Sequence, residues 1–228
     1  MAIVKEERIG GQRLILGDCL EVMPLLGEFD AVVTDPPYGI GEGGDKNRSR
    51  ENVAPVGNYK SDKWDCTTAD VQIKLAIQMS KSAIVFGGNY YDLPPTSCWL
   101  VWDKQNSGDF ADCELAWTNL KKAVRRIYWR WNGMIRKGSD IRQHPTQKPL
   151  GVMEWCINHL PDTAQTILDP FMGSGTTLVA CQKLGRAGTG IELDPHYFDI
   201  ACKRVDEATR QPDLFVEPAP KPTQEVLL

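Results

Sequence analysis

"ILDPFMGSGTT", residues 167–177, runs from a short β-branched stretch through an acid and a Gly-x-Gly turn into the opening of a helix. A glycine-rich corner between strand and helix is where an α/β protein brings a ligand against its own backbone. Two common versions of that corner fail here on a required residue. A phosphate-binding loop needs Lys after its last glycine, and Thr176 follows Gly175. A dinucleotide fingerprint needs a third glycine at position 178, which is Leu178. What survives is a turn at Gly173 and Gly175 that lets a ligand lie close to the chain without a phosphate clamp. Glu192 stands nineteen residues beyond Gly173, closing the next apolar run. That spacing suits an acid accepting hydrogen bonds from a ribose hydroxyl pair, so the implied ligand is a nucleoside.

The rest of the chain has the same grain. Buried strands are expected over 13–18, 31–35, 82–88, 98–104, 165–170 and 187–193, where β-branched and apolar residues run together. Amphipathic stretches at 19–26, 69–80, 148–160, 176–184 and 195–209 read as helices. This alternation predicts an α/β sheet covered on both faces, with ligands at the carboxyl ends of its strands. Asp18, Asp35, Asp103, Asp169 and Glu192 all fall at or near such ends. Two segments interrupt the alternation: a Gly- and charge-rich loop over 39–63, and the stretch 105–143. The expected organisation is one domain over residues 1–205 and a Pro-rich, flexible tail over 206–228.

Composition excludes several classes. No apolar run reaches the length of a membrane span, and the N-terminus lacks a signal-peptide apolar region. Seven cysteines at scattered spacings, with no Cys-x-x-Cys, fit reduced packed thiols in the cytoplasm; no metal site is expected. The formal net charge is −4, yet from Lys121 to Lys148 there are nine Lys or Arg against one acid, Asp140. Tyr128, Trp129 and Trp131 lie in the same stretch. Charge distribution counts for more than the sum when the partner is a polyanion.

"AVVTDPPYGIG", residues 31–41, ends another strand on an acid, two prolines and an aromatic. Together, "TDPPYG", "HPTQKP" (144–149) and "LDPFMGSGTT" resemble the motifs of S-adenosylmethionine-dependent DNA amino methyltransferases. Their order, catalytic motif first and glycine loop last, resembles the permuted β group of adenine or cytosine amino methyltransferases, over roughly residues 13–205. The resemblance implies a Rossmann-like methyltransferase fold, circularly permuted, with a mixed and mostly parallel sheet. It implies a site-specific enzyme, of the kind found in restriction–modification, that flips a base out of duplex DNA.

The roles follow motif by motif. The Asp35 carboxylate and the Pro36 carbonyl would accept the two hydrogens of an exocyclic amino group, with Pro37 helping to fix the backbone. Tyr38 would stack on the extruded base. Gly173 and Gly175 would lie against the cofactor, beside Phe171 and Thr176, with Glu192 on the ribose and Asp18 near the cofactor's adenine. Thr146 and Lys148 would meet the methionine carboxylate, and Asp169 the cationic amino end. For Asp18 and Asp169 the alternative is helix capping. Asp at position 35 favours the adenine 6-amino group, because cytosine enzymes more often carry Ser there; cytosine 4-amino methylation is the alternative. A catalytically inactive DNA- or clamp-binding module is the rival from another class.

The 105–143 stretch occupies the place of the family's target-recognition segment. Lys121, Lys122, Arg125, Arg126, Arg130, Arg136 and Lys137, with Arg48 of the 39–63 loop, are the expected contacts to double-stranded DNA. The loop itself is expected to close over DNA or cofactor. In the tail, "QPDLF" (Gln211–Phe215) resembles the peptide that docks in the bacterial sliding clamp. A second copy of the chain is the other partner considered, as a homodimer; no membrane is expected, and the location implied is the cytoplasm, at the nucleoid.

Overall fold

Val32 and Val33 are neighbours in sequence and both fully buried, yet they belong to different cores. Successive side chains of a strand point to opposite faces, so a strand buried on both sides reads as the unbroken apolar run seen here. The strand is β3 (Phe29–Thr34), at the middle of a mixed sheet. The computed structural model describes residues 2–39, 69–105, 111–131 and 147–210. In chain order the other strands are β1 (Ile3–Ile9), β2 (Gln12–Gly17), β4 (Ser80–Phe86), β5 (Leu100–Asp103), β6 (Cys113–Thr118), β7 (Arg125–Tyr128), β8 (Thr166–Asp169) and β9 (Ala187–Glu192). The helices are α1 (Cys19–Val22), α2 (Asp70–Gln78), α3 (Leu150–Ile157), α4 (Thr176–Lys183) and α5 (Pro195–Arg210).

The sheet order is β1-β2-β9-β8-β3-β4-β6-β5-β7. Strands β2, β9, β8, β3 and β4 run parallel, while β1 and β6 are antiparallel to their neighbours. Ala31, Val33, Ile84 and Phe86 face α3 and α4; Val32, Ala83 and Val85 face α1 and α2. A third cluster joins α4 and α5 to Leu14 and Leu16 of β2. In α5 the buried Phe198, Ala201 and Val205 recur at helical spacing, and Asp194 caps the helix by accepting from the His196 N–H at 2.7 Å. Pro195 opens the first turn, where no intrahelical partner for a backbone N–H is lost. Phe198 is fully buried, so cutting it to Ala would cost about 3–5 kcal/mol.

All six expected strands and all five expected helices are present, most with ends shifted by one or two residues. Three strands were not expected. β1 pairs with β2 at one edge of the sheet. More consequentially, β6 and β7 lie inside the stretch read as an insertion, and β6 sits between β4 and β5 in the sheet. Residues 111–131 are therefore part of the main sheet. The loop 39–63 and the tail peptide Gln211–Phe215 lie outside the described residues, apart from Gly39.

Candidate functional site

The two motif strands β3 and β8 are neighbours and parallel, so their carboxyl ends open side by side. Asp35 follows the end of β3, and Asp169 is the last residue of β8. One cavity is lined by Asp35 and Lys148 on one side and by Asp169, Phe171, Gly173 and Thr176 on the other. Residues more than a hundred positions apart in sequence thus face the same space.

The glycine turn is built for close approach. Gly173 and Gly175 have φ of 53° and 81°, a region that L side chains rarely adopt. Where a Gly173 side chain would stand, no atom of another described residue beyond its chain neighbours lies within 4 Å. Glu192 ends β9 and braces the turn: its carboxylate accepts from the Gly173 N–H at 2.8 Å and the Asp194 N–H at 2.9 Å. Burial pushes Glu192 up to about 7 against the pull of those N–H groups. Asp169 accepts from the Thr34 hydroxyl at 2.8 Å and the Phe171 N–H at 3.1 Å, and burial pushes it up to about 6. From behind, the buried Arg204 of α5 donates to the Ser174 carbonyl at 2.6 Å, the Ser174 hydroxyl at 2.9 Å and the Thr176 hydroxyl at 3.0 Å.

Beyond β3 the chain runs through Pro36 and Pro37 to Tyr38. The Tyr38 hydroxyl donates to Asp35 Oδ1 at 2.7 Å. The Tyr91 hydroxyl holds the diproline, donating to the Pro37 carbonyl at 2.9 Å and the Pro36 carbonyl at 3.3 Å. The Tyr38 ring stacks on Tyr90, with centroids 5.2 Å apart. Gly87, just past β4, has φ of 66°, and a Cβ there would fall 2.3 Å from Tyr38 Cε1. Only glycine meets both demands.

Lys148 is 6% exposed and joins two acids. Its ammonium donates to Asp35 Oδ2, lies 3.2 Å from the Tyr38 hydroxyl and 3.2 Å from Glu114 Oε2. Lys104 closes the row with its Nζ 2.6 Å from Glu114 Oε1. Burial pulls the Lys148 ammonium down, but Asp35 and Glu114 more than offset it and hold it above its ordinary value. Burial pushes Asp35 up; Lys148 pulls against this, and the Glu114 charge adds to the rise. Glu114 ends below its ordinary value, because Lys148 and Lys104 together outweigh its burial. The topology explains how Glu114 gets there. Since β6 is antiparallel to β4 and β5, its first residues meet the rim where those strands end.

A model of the DNA methylase family, the N6/N4 type, matches residues 94–203. Over those residues the chain is similar to the DNA amino methylases. Members of that family take their methyl group from S-adenosylmethionine. The chain is 24% identical over 223 residues to type II methyltransferase M2.LlaDCHI of Lactococcus lactis subsp. cremoris, covering 78% of this chain and 82% of that one. With type II methyltransferase M2.DpnII of Streptococcus pneumoniae it shares 25% over 225 residues, at the same coverage of each chain. Among solved structures, the M1.HpyAVI–SAM complex aligns with a TM-score of 0.56 at 23% identity, covering 86% of this chain and 99% of that one. The cytosine-N4-specific PvuII DNA methyltransferase aligns with a TM-score of 0.55 at 13% identity, covering 91% and 94%. At those identities the two structures establish a shared fold.

The protein distributes the expected site residues unevenly. Asp35, Lys148, Asp169, Phe171, Gly173 and Thr176 line one cavity, and Gly175 and Glu192 shape its turn. Lys148, expected to meet a methionine carboxylate, lies against Asp35 and Glu114. Asp18 caps α1, accepting from the Leu20 N–H at 2.8 Å, which is the alternative considered for it. Thr146, Arg48, Arg136 and Lys137 lie outside the described residues. Lys121, Lys122, Arg125, Arg126 and Arg130 are all exposed, but they do not form one patch at the site. β7 runs parallel to β5, so Arg130 lies beyond its carboxyl end, whereas Lys121 and Lys122 precede its start at the opposite rim. There Lys122 donates to the His159 carbonyl at 2.7 Å.

Glu114, Lys104, Tyr91 and Arg204 are at or behind the site without being among the expected residues. Arg204 carried a usable signal, a cation beside the apolar stripe of α5. Glu114 carried none, since its strand was not expected. Among the described residues no cluster of His, Cys, Asp or Glu suits a metal ion, and no helix is long and apolar enough to cross a membrane.

Proposed function

We propose that this protein transfers the methyl group of S-adenosylmethionine to the 6-amino nitrogen of adenine in duplex DNA. One observation carries the reading: the Asp35 carboxylate and the Gly173–Thr176 turn line the same cavity. A nucleoside cofactor fits the turn side, where Glu192 offers carboxylate oxygens to a ribose and the backbone at Gly173 leaves open space. The donor supplies a methyl group on a cationic sulfur. The protein's task is to present the nitrogen. An aromatic amino group is a poor nucleophile because its lone pair is delocalised into the ring. Acceptance of its hydrogens by Asp35 and the Pro36 carbonyl orients that lone pair and stabilises the charge developing on nitrogen. Holding both reactants in line supplies much of the remaining rate. Asp35, the first residue of the motif, favours adenine over cytosine. Arg130 follows β7 on the rim where the carboxyl ends of the parallel strands lie, and it would hold a phosphate of the bound duplex.

The test is direct. The protein is incubated with unmethylated duplex DNA and labelled S-adenosylmethionine, the DNA is digested, and the labelled nucleoside is identified. 6-Methyladenine is expected; 4-methylcytosine would overturn the choice of base, and no label in DNA would overturn the activity. Asp35→Ala should abolish transfer and leave cofactor binding within about threefold, because Asp35 acts on the acceptor and not on the donor.

A further inference from the structure

Asp35 and Glu114 compete for one cation. Lys148 Nζ touches Asp35 on one side and Glu114 on the other, and Lys104 holds Glu114 from behind. Two carboxylates and two ammoniums alternate along the row, so the cluster is neutral although largely buried. Neutrality alone would need only one pair. A buried acid brought in on an antiparallel strand, and costing desolvation, calls for a further reason.

We propose that Glu114 is a positioning residue for methyl transfer: by sharing Lys148 with Asp35, it leaves the Asp35 carboxylate free to take the proton that the amino nitrogen sheds. This rests on the function proposed above. In the step, the nitrogen lone pair forms the N–CH3 bond as the S–CH3 bond breaks, with its electron pair remaining on sulfur. Nitrogen then carries one proton too many. Asp35 takes it and passes it to solvent. Lys148 cannot take it, since the ammonium is already protonated and is held so by two acids. A carboxylate bound to Lys148 alone would be a weaker base, its oxygen committed to the ammonium. Glu114 draws part of that charge away. Lys104 sets how strongly it does so, because the more Glu114 is neutralised from behind, the less it competes for Lys148.

Among the described residues the groups facing Asp35 are few. Tyr38 reaches it from its own loop, Lys148 from the segment before α3 and Glu114 from β6; Asp169 from β8 acts at longer range, sharing the cavity. Tyr91 lies under the prolines. Two substitutions push Asp35 in opposite directions. Glu114→Gln leaves Lys148 to Asp35 alone and makes Asp35 more acidic. Lys104→Met leaves Glu114 dependent on Lys148, draws the cation off Asp35 and makes Asp35 less acidic. A loss of folding or of general rigidity would not produce opposite signs.

The experiment is a single-turnover rate of methyl transfer from pH 5 to 9, with the full chain, S-adenosylmethionine and a duplex that the wild type modifies. The acid limb, where the rate rises with pH, should move down by about half to one pH unit in Glu114→Gln and up by a similar amount in Lys104→Met. The plateau of Glu114→Gln should fall about threefold, as Brønsted behaviour requires of a base weakened by that amount. Affinity for S-adenosylmethionine, measured by equilibrium dialysis, should stay within about twofold in both, since neither residue lies at the glycine turn. An unmoved limb in both variants, or a shift of both in one direction, overturns the proposal while leaving the activity standing. Should Glu114→Gln fail to fold, the direction of the Lys104→Met shift decides alone. A wild type that transfers no methyl group overturns the proposed function, and this proposal with it.

Discussion

Replacing Glu192 by Gln should remove a slope from the stability of the protein across neutral pH. Glu192 has an ordinary value of 4.5 and is pushed up to about 7, chiefly by burial behind the glycine turn. The folded chain therefore holds a proton that the unfolded chain has released. Stability from this group is fully present below pH 4.5 and is lost as pH rises through 7. The gap is worth about 3 kcal/mol when fully traversed, of which about 2 kcal/mol falls between pH 5 and pH 8. Glutamine matches the protonated acid in shape and does not titrate. Its amide can accept from only one of the two N–H groups, Gly173 or Asp194, that the carboxylate now serves. That loss costs about 1 kcal/mol at every pH. The wild type should thus be more stable than Glu192→Gln by about 1 kcal/mol at pH 5 and less stable by about 1 kcal/mol at pH 8. Urea unfolding followed by tryptophan fluorescence reads this as a relative shift in midpoint of about 1 M. Asp169 titrates in the same range but in both proteins, so the difference isolates Glu192. A difference constant from pH 5 to pH 8, or one growing with pH, would refute the placement of Glu192 as a buried acid bracing the turn.

Gly87→Ala must force a Cβ into the Tyr38 ring at a positive φ, so the melting temperature should fall by an amount equivalent to about 2 kcal/mol, and methyl transfer by tenfold or more; wild-type values for both would show that the Gly87–Tyr38 contact is unimportant. Arg204→Met strips three hydrogen bonds from the back of the glycine turn and should cost about 2–4 kcal/mol by urea denaturation, with weaker cofactor binding at temperatures where the variant is folded. If the edge strand β7 lies along DNA, the double substitution Arg125→Ala/Arg126→Ala should reduce the slope of log affinity against log salt by about 2, because two phosphate contacts are lost; an unchanged slope places the duplex elsewhere.

How far the site could be read in advance depended on whether its signals were local. Asp35, Tyr38, Gly173, Gly175 and Glu192 each mark a strand end or a turn, and a strand end followed by an odd constellation shows in a few consecutive residues. Asp18 shows the limit of such reasoning: an acid at a strand end serves equally well as a helix cap, and it caps α1. The stretch 105–143 was read by composition, since its basic and tryptophan-rich character outweighed two short strands. "RRIY" is exposed at the sheet edge and has the charge of a solvated face, so no apolar alternation marked it as β7. "CELAWT" is buried only in its second half, so β6 offered half a signal.

The sequence by itself determined the α/β alternation, the glycine turn between strand and helix, and the motif order, because each is written in spacings shorter than a strand and a helix. The row Lys104–Glu114–Lys148–Asp35 was decided by tertiary structure alone. Its members come from the end of one strand, the start of an antiparallel one, the approach to a helix and the end of a third strand. No periodicity links them. They meet because β6 enters the sheet reversed, and a reversed strand brings its first residues to the rim where its neighbours finish.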